Sequence, residues 1–447
     1  MNVILIVVDS LRSDHLGING YTRDTSPNMD KLAKESAFFS NTISTIPRTT
    51  PSIASMLTGL YPHSHGVRFL FTHKLNPHVT TLQEILKSRG YYTVGNDIES
   101  NDIDIKKGFD EFNLLQWRII NKIKRTIKKT IDWNYKVNPA KTLTDFAINK
   151  IEKLKNKKFF LYLHYLPLHW PYSPPKPYDN MFDPNYKGKH TFNEYSGQIN
   201  RGDLLFNNSL SKEENRHAVA HYDGCIRFVD FQIGRILDHL NALNLTDNTL
   251  IILTADHGEC FGEHNIYFNH GDSLYDEELK LPLILKYPKA PKKIIKNQVQ
   301  TIDIMPTILD ILNIHLIENI DGISLMPAIN GEMNPRKYAF AETGKSFFTQ
   351  NKRSYFEGIK GKWRMVRTDK WKLIYIPHPE KDIFELYDLE EDPYEQNNVF
   401  DKEKKVALCM KKEILKFVKL QGTEDSDDSI DLTEKAKKLL RQFGYME

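Results

Sequence analysis

Cysteine is scarce in this chain of 447 residues, with only Cys225, Cys260 and Cys409. They are odd in number, far apart and outside any C-x-x-C spacing, so no disulfide framework is indicated and a reducing compartment fits best. Charge of one sign is also lacking. Against 61 Lys and Arg stand 58 Asp and Glu, a formal excess of +3. An excess that small over this length gives no argument for a nucleic-acid partner. Long hydrophobic runs are missing too. The apolar run in MNVILIVVDSLRSDH is six residues, with no basic segment before it and an acid at its end. It reads as a buried strand and not as a secretory signal, and no later segment reaches membrane-spanning length. The expectation is a cytoplasmic protein without a transmembrane segment. Internal repeats are absent.

What is present is an alternation of element types. Residues 3–8 form a β-branched run followed by turn chemistry, the pattern of a central strand buried on both faces. Similar runs recur at 158–163 (KFFLYL), 249–253 (TLIIL) and 282–286 (PLILK). Helical patterns at 26–36, 51–58, 80–89 and 213–241 lie between them. Strands alternating with helices predict an α/β fold, a large, mostly parallel sheet sandwiched by helices. After about residue 335 the pattern changes. RMVRTDKWKLIYI and DIFELYDLEEDPYEQNNV read as antiparallel strands with turns, followed by a helix over 401–420. The acidic stretch 422–431 reads as a linker and 433–442 as a last short helix. The expected organisation is a catalytic domain over 1–335 and a small α+β subdomain over 336–447. One insertion, 117–136, places Ile119, Ile123, Ile127 and Ile131 on one helical stripe among five Lys and Arg residues. It is either a surface helix docked on the core or a contact for anionic lipid or a polyanionic substrate, at the inner face of a membrane.

In open parallel sheets the ligand crevice lies beyond the carboxyl ends of the strands. Asp9 ends the first predicted strand, and Asp256 and His257 follow TLIILTA. An adjacent Asp and His offer a hard oxygen and an imidazole to one cation. In IPRTTPSIASMLTGLYPHSHGV, Pro51 suits the first position of a helix and Gly59 its far end. Thr49 and Thr50 then stand at a helix start, where free N–H groups favour negative charge. From these residues alone, a threonine there is either an ordinary cap or the holder of a reactive oxyanion.

The stretches VVDSLRSDHLGINGY, TTPSIASMLTGLYPHSHGV, FFLYLHYLPLHWPY, HYDGCIRFVDFQIGRIL, LTADHGECFGEH and ELYDLEEDPYEQNNV occur in the order seen in sulfatases and their relatives in the alkaline phosphatase superfamily. The resemblance covers nearly the whole chain apart from the basic insertion and the region around 180–212. Its departures are informative. Sulfatases carry Cys or Ser two positions before the motif proline and oxidise it to formylglycine. Thr49 stands there instead, and a secondary alcohol with a β-methyl cannot give that aldehyde. Ile53 replaces the motif arginine, Asp9–Ser10 replaces a pair of acids, and Asn96-Asp97-Ile98 follows GYYTVG where Lys and His usually face the sulfate. The sequence therefore resembles the threonine-nucleophile branch, which includes phosphodiesterases and enzymes that transfer phosphoethanolamine or phosphoglycerol.

That resemblance implies one divalent ion, Mn²⁺, Zn²⁺, Mg²⁺ or Ca²⁺, held by Asp9, the Thr49 oxygen, Asp256 and His257. Thr49 is the expected nucleophile on a phosphodiester or phosphomonoester. His169 and His270 match recurring histidines and are assigned to binding the transferred group or to acid–base work. Arg48 and His164 complete the expected substrate-binding set, and His65 is read as structural. The substrate is a small, glycan or lipid-headgroup anionic ester, hydrolysed or used in phosphotransfer. Two alternatives stand beside this reading: a sulfuric ester hydrolase working without formylglycine, and an inactive anion-binding scaffold.

Overall fold

The computed structural model describes residues 1–68, 74–96, 104–113, 139–170, 172–188, 211–315, 320–332, 336–343, 362–378 and 380–420. The basic insertion 117–136, the linker 422–431 and the helix expected at 433–442 lie outside these residues.

β1 (Asn2–Val8) is buried at every position, and from Val3 onward its apolar run is unbroken. It lies between two parallel neighbours, β5 (Phe159–Tyr165) and β6 (Thr249–Ala255). β3 (Tyr92–Asn96) and β4 (Glu111–Asn113) extend the sheet beyond β5 in the same direction. On the other side follow β9 (Lys280–Lys286), β2 (Ala37–Ile43) and β10 (Lys293–Ile295), with β11 (Val299–Gln300) also pairing with β2. Among the described residues this makes a nine-stranded sheet in which β9 alone runs antiparallel. The run at 282–286 is thus a strand as expected, with its direction reversed. Between β6 and β9 the chain folds into a separate two-stranded ribbon, β7 (Cys260–Phe261) and β8 (Tyr267–Asn269).

Strand periodicity divides the core into two layers. Ile4, Ile6 and Val8 face one side, against the helices Pro139–Leu154 and Lys212–Ala242. Val3, Leu5 and Val7 face the other, against the helices Thr49–Thr58 and Ile304–Ile311. Each such side chain contributes about 1.5–3 kcal/mol relative to exposure, which is why the chain from Val3 to Val8 is apolar without a break.

The expected start of the second helix moves by one half-turn. The helix spans Thr49–Thr58, so Thr49 and not Pro51 opens it, and Gly59 closes it with φ 68°. Proline at the third position costs nothing in hydrogen bonding, because all of the first four N–H groups of a helix lack intrahelical acceptors.

β12 (Ala339–Glu342), β13 (Arg364–Arg367), β14 (Trp371–Ile376) and β15 (Ile383–Asp388) form a small antiparallel sheet. The helix Lys404–Leu420 buries Ala407, Met410 and Ile414 against Val366, Leu373 and Leu386 on one of its faces. The opposite face meets Ile43, Cys260, Leu274 and Tyr275 of the larger unit. A buried charge cluster crosses the same contact: Lys372 reaches Asp276 and Glu395, each at 2.8 Å, and Arg367 reaches Asp276 at 3.1 Å.

Candidate active site

Because β1, β5 and β6 run parallel, their carboxyl ends open on one edge of the sheet. Val8 is in register with Tyr165 and with Ala255, so the residues that follow, Asp9 and Asp256, emerge side by side. The Asp9 N–H donates to Tyr165 O at 2.8 Å and carries the pairing one residue past the strand. His164, one residue before the end of β5, comes to the same place. Its Nε2 lies 3.9 Å from Asp9 Oδ2 and 3.7 Å from Asp256 Oδ2.

Chain positions far apart in sequence fix this group. Ser10 takes a left-handed conformation (φ 57°), which lets its Oγ donate to Asp9 Oδ1 at 2.7 Å and its N–H to Asp256 Oδ1 at 3.2 Å. The main-chain carbonyl of Asp256 accepts the Ser52 hydroxyl at 2.7 Å and the Ser44 hydroxyl at 2.9 Å. Ser52 stands in the first turn of the helix Thr49–Thr58, so this bond docks the helix start beside β6. His257 then meets Thr49: Nε2 is 3.1 Å from Thr49 Oγ1, 3.5 Å from Asp256 Oδ2 and 3.7 Å from Asp9 Oδ1. Its Nδ1 lies 2.9 Å from Gly258 O. A carbonyl only accepts, so Nδ1 carries a proton, and in the neutral ring the Nε2 lone pair faces Thr49 and the two carboxylates. Asp9, His164, Asp256 and His257 are buried, whereas Thr49 is partly exposed, an arrangement that leaves the nucleophile candidate reachable.

These donors fit a divalent cation. Oδ2 of Asp256 is buried and makes no hydrogen bond to any described residue. Burial pushes the Asp256 carboxyl up, but the neighbouring imidazoles of His257 and His164 outweigh it and bring it down to about 2, so the group is an anion at neutral pH. Two carboxylates converging on imidazole nitrogens at 3.5–3.9 Å are too far for hydrogen bonds. The spacing is close to that of donors around a shared ion, roughly 3.4 Å for tetrahedral ligands about 2.1 Å from the centre.

Around this set stand the other expected residues. His270 stacks on His257 with ring centroids 4.0 Å apart, and His169 meets His270 edge-on at 5.3 Å. Glu259 Oε1 lies 3.2 Å from His270 Nδ1, and the Trp170 carbonyl 2.9 Å from His169 Nδ1. Both partners accept, so Nδ1 carries a proton in each ring. Arg48, 2% exposed, gives one guanidinium N–H to Asp272 Oδ1 at 2.9 Å. Gly271 (φ 96°) passes so close that a Cβ there would stand 2.0 Å from Arg48 Nε. His65 is buried behind the helix, its Nδ1 accepting from the Val67 N–H and its Nε2 facing Ser55 Oγ, and burial lowers it to about 3.

Thr49, Asp9, Asp256, His257, His169, His270 and Arg48 are thus brought to one edge of the sheet. His164, expected on the substrate side, has its ring directed at the two carboxylates. Sequence reading missed Ser10, Glu259, Gly271 and Asp272 as supports. Ser10 and Glu259 adjoin or closely follow the acidic positions, which is the one signal they carried; Gly271 and Asp272 follow His270 with none.

Residues 1–314 match the sulfatase family model, and residues 262–420 match that of the N-sulphoglucosamine sulphohydrolase C-terminal region. The chain is 27% identical to an arylsulfatase of Clostridium perfringens, over 95% of each chain. It is 26% identical to an ulvan-active sulfatase of Formosa agariphila, over 90% of this chain and 77% of that one. Among solved structures it superposes on a phosphonate monoester hydrolase of Agrobacterium radiobacter with a TM-score of 0.72 at 23% identity, covering 94% and 96% of the two chains. No helix among the described residues is long and apolar enough to cross a membrane. The chain belongs to the sulfatase family, a family of ester-hydrolysing enzymes.

Proposed function

We propose that this member of the sulfatase family cleaves a phosphate ester, by hydrolysis or by transfer to an acceptor alcohol, with Thr49 as the nucleophile. The observation that carries the reading is the position of Thr49 Oγ1. It opens a helix, is partly exposed, and lies 3.1 Å from His257 Nε2 at the rim of the buried Asp9–Asp256 pair.

Asp9, Asp256, His257 and the Thr49 oxygen would hold a divalent ion, which when bound would supply positive charge to make the alcohol acidic and to offset charge gathering on the phosphoryl oxygens. Thr49 Oγ1, which is partly exposed, gives its proton to solvent and attacks phosphorus in line. The Oγ1–P bond forms as the bond from phosphorus to the leaving alcohol breaks, giving a phosphothreonine. The helix start adds N–H groups and its dipole on the side where negative charge develops. His270, oriented by Glu259, and His169, oriented by the Trp170 carbonyl, protonate the leaving oxygen and later take the proton of the attacking water or acceptor hydroxyl. Arg48, tied to Asp272, contributes fixed positive charge behind Thr49. The substrate class is an anionic ester of a glycan, a lipid headgroup or a small molecule. The basic stretch 117–136 suits an anionic surface inside the cell.

A second reading, hydrolysis of a sulfuric ester by unmodified Thr49, is favoured by the names of the relatives, an arylsulfatase and an ulvan-active sulfatase. Relative rates on aryl phosphodiester and aryl sulfate substrates separate the two. Intact mass after brief exposure to substrate adds the nucleophile: a gain of one phosphoryl group mapped to Thr49 is expected. A strong preference for sulfate with no phosphorylated species would defeat the proposal, and full activity of Thr49→Ala would move the nucleophile elsewhere.

A further inference from the structure

We infer that His164 is an additional ligand of the cation site and that it tilts the site toward Zn²⁺ and away from Mg²⁺ and Ca²⁺. The inference rests on the metal site of the proposed function but not on the identity of the ester.

Three buried side chains from three different strands, Asp9, His164 and Asp256, offer donor atoms that all lie within 4.8 Å of one another. The His164 ring is aimed by its strand. Val7 of β1 is in register with it, so its side chain follows the pleat to the carboxyl edge, and its N–H donates to Asn96 Oδ1 of β3 at 3.2 Å. Its Nε2 stands 3.9 Å and 3.7 Å from one oxygen of each acid. The ring of His257 approaches the same Asp256 Oδ2 at 3.5 Å. One buried carboxylate oxygen is thus flanked by two imidazole nitrogens at coordination spacing, and that oxygen makes no hydrogen bond to any described residue.

Charge and donor type then decide the ion. Ser10 follows Asp9 where a second acid would add another carboxylate. Its left-handed backbone turns the hydroxyl back onto Asp9 Oδ1. The pocket is left with two carboxylates, and His164 adds an imidazole nitrogen beside both of them. Ca²⁺ takes six to eight oxygen ligands and Mg²⁺ demands a near-octahedral oxygen shell, whereas two imidazoles with two carboxylates suit Zn²⁺. Removing an imidazole ligand should therefore weaken Zn²⁺ far more than Ca²⁺.

The test is metal affinity of the full chain after chelator treatment, measured by calorimetry, with Co²⁺ visible absorption as an independent readout. The wild-type chain is expected to bind one Zn²⁺ about 100-fold or more tighter than Ca²⁺. In His164→Asn the Zn²⁺ affinity should fall roughly 10–100-fold, with Ca²⁺ affinity changed by less than about 3-fold. His164→Asp, which supplies an oxygen in place of the nitrogen, should narrow or invert the preference; circular dichroism confirms that both variants are folded. Equal wild-type affinity for Zn²⁺ and Ca²⁺, or unchanged Zn²⁺ affinity in His164→Asn, overturns the inference while leaving Thr49 chemistry intact. Preference for aryl sulfate with the metal preference preserved defeats the phosphate reading alone. Absence of any bound divalent ion removes both.

Discussion

The Ser10 main-chain N–H donates to Asp256 Oδ1 at 3.2 Å, joining two residues 246 positions apart. The same Ser10 donates its hydroxyl to Asp9 Oδ1 at 2.7 Å. One residue at φ 57° therefore sets the spacing of both carboxylates. Ser10→Gly relieves the backbone conformation but deletes the hydroxyl, and Ser10→Ala deletes it while keeping the backbone cost. If the hydroxyl orients Asp9, both lower metal affinity roughly 10–100-fold, the usual effect of losing a ligand's hydrogen-bond partner. Retained affinity in the glycine variant would assign Ser10 to backbone geometry only.

Thr49 is expected to be irreplaceable by a side chain without a hydroxyl. Thr49→Val keeps the shape and should lower kcat roughly 10³-fold or more, with no phosphorylated protein detected by mass. Thr49→Ser restores the oxygen and should recover most of the lost rate. Turnover by the valine variant within about 10-fold of wild type would move the nucleophile elsewhere.

The close passage of Gly271 over Arg48 makes a sharp stability prediction. Gly271→Ala adds a methyl 2.0 Å from Arg48 Nε at φ 96°, and should cost roughly 2–4 kcal/mol in urea unfolding. Gly20 has a similar φ of 92°, and a Cβ added there would meet nothing within 4 Å, so Gly20→Ala reports the backbone cost alone, about 1 kcal/mol. Equal losses at the two positions would show that the Arg48 guanidinium moves aside freely.

Breaking the buried pair behind the nucleophile should also be costly. Asp272→Ala leaves the Arg48 charge, 2% exposed, without its Asp272 partner and is expected to destabilise by about 3–5 kcal/mol. In the Arg48→Met, Asp272→Leu double variant, stability should return in large part while activity stays low, which separates the structural role of the pair from its charge in catalysis. Activity recovering together with stability would remove Arg48 from the mechanism.

Stability should fall between pH 4.5 and 8 because of Glu278. Burial pushes this carboxyl up to about 8 from an ordinary 4.5, against the hydrogen bonds it accepts from Ser273 and Gly271. In that window the folded state holds a proton that the unfolded state has released, so the slope of unfolding free energy with pH is negative. The stabilisation is fully present below pH 4.5 and is lost as pH rises through about 8. Urea midpoints at pH 6 and pH 9 check this. Glu278→Gln, neutral at both, should flatten the difference, and an unchanged pH dependence in that variant would assign the effect to other groups.

Much of this architecture was legible from local pattern. The short apolar runs and the helical periods between them specify a covered parallel sheet, because a strand buried on both faces is made mostly of apolar residues. Acids directly after such strands mark its carboxyl edge, so Asp9, Asp256 and His257 could be named from the chain alone. What local pattern could not decide was which residues meet there. His164 and His169 are five residues apart and chemically alike, and only the register of β5 on β1 turns the first toward Asp9 and leaves the second beside His270. Ser10 looks like any turn serine until its positive φ and its bond to a carboxylate from a distant strand are known. Arg48 and Asp272, Glu259 and His270, and Ser52 and the Asp256 carbonyl are pairings of the same kind. Periodicity is set by each residue's immediate neighbours and is therefore written along the chain; the direction of a buried polar side chain depends on which distant partner removes its desolvation cost, and folding alone brings that partner into place.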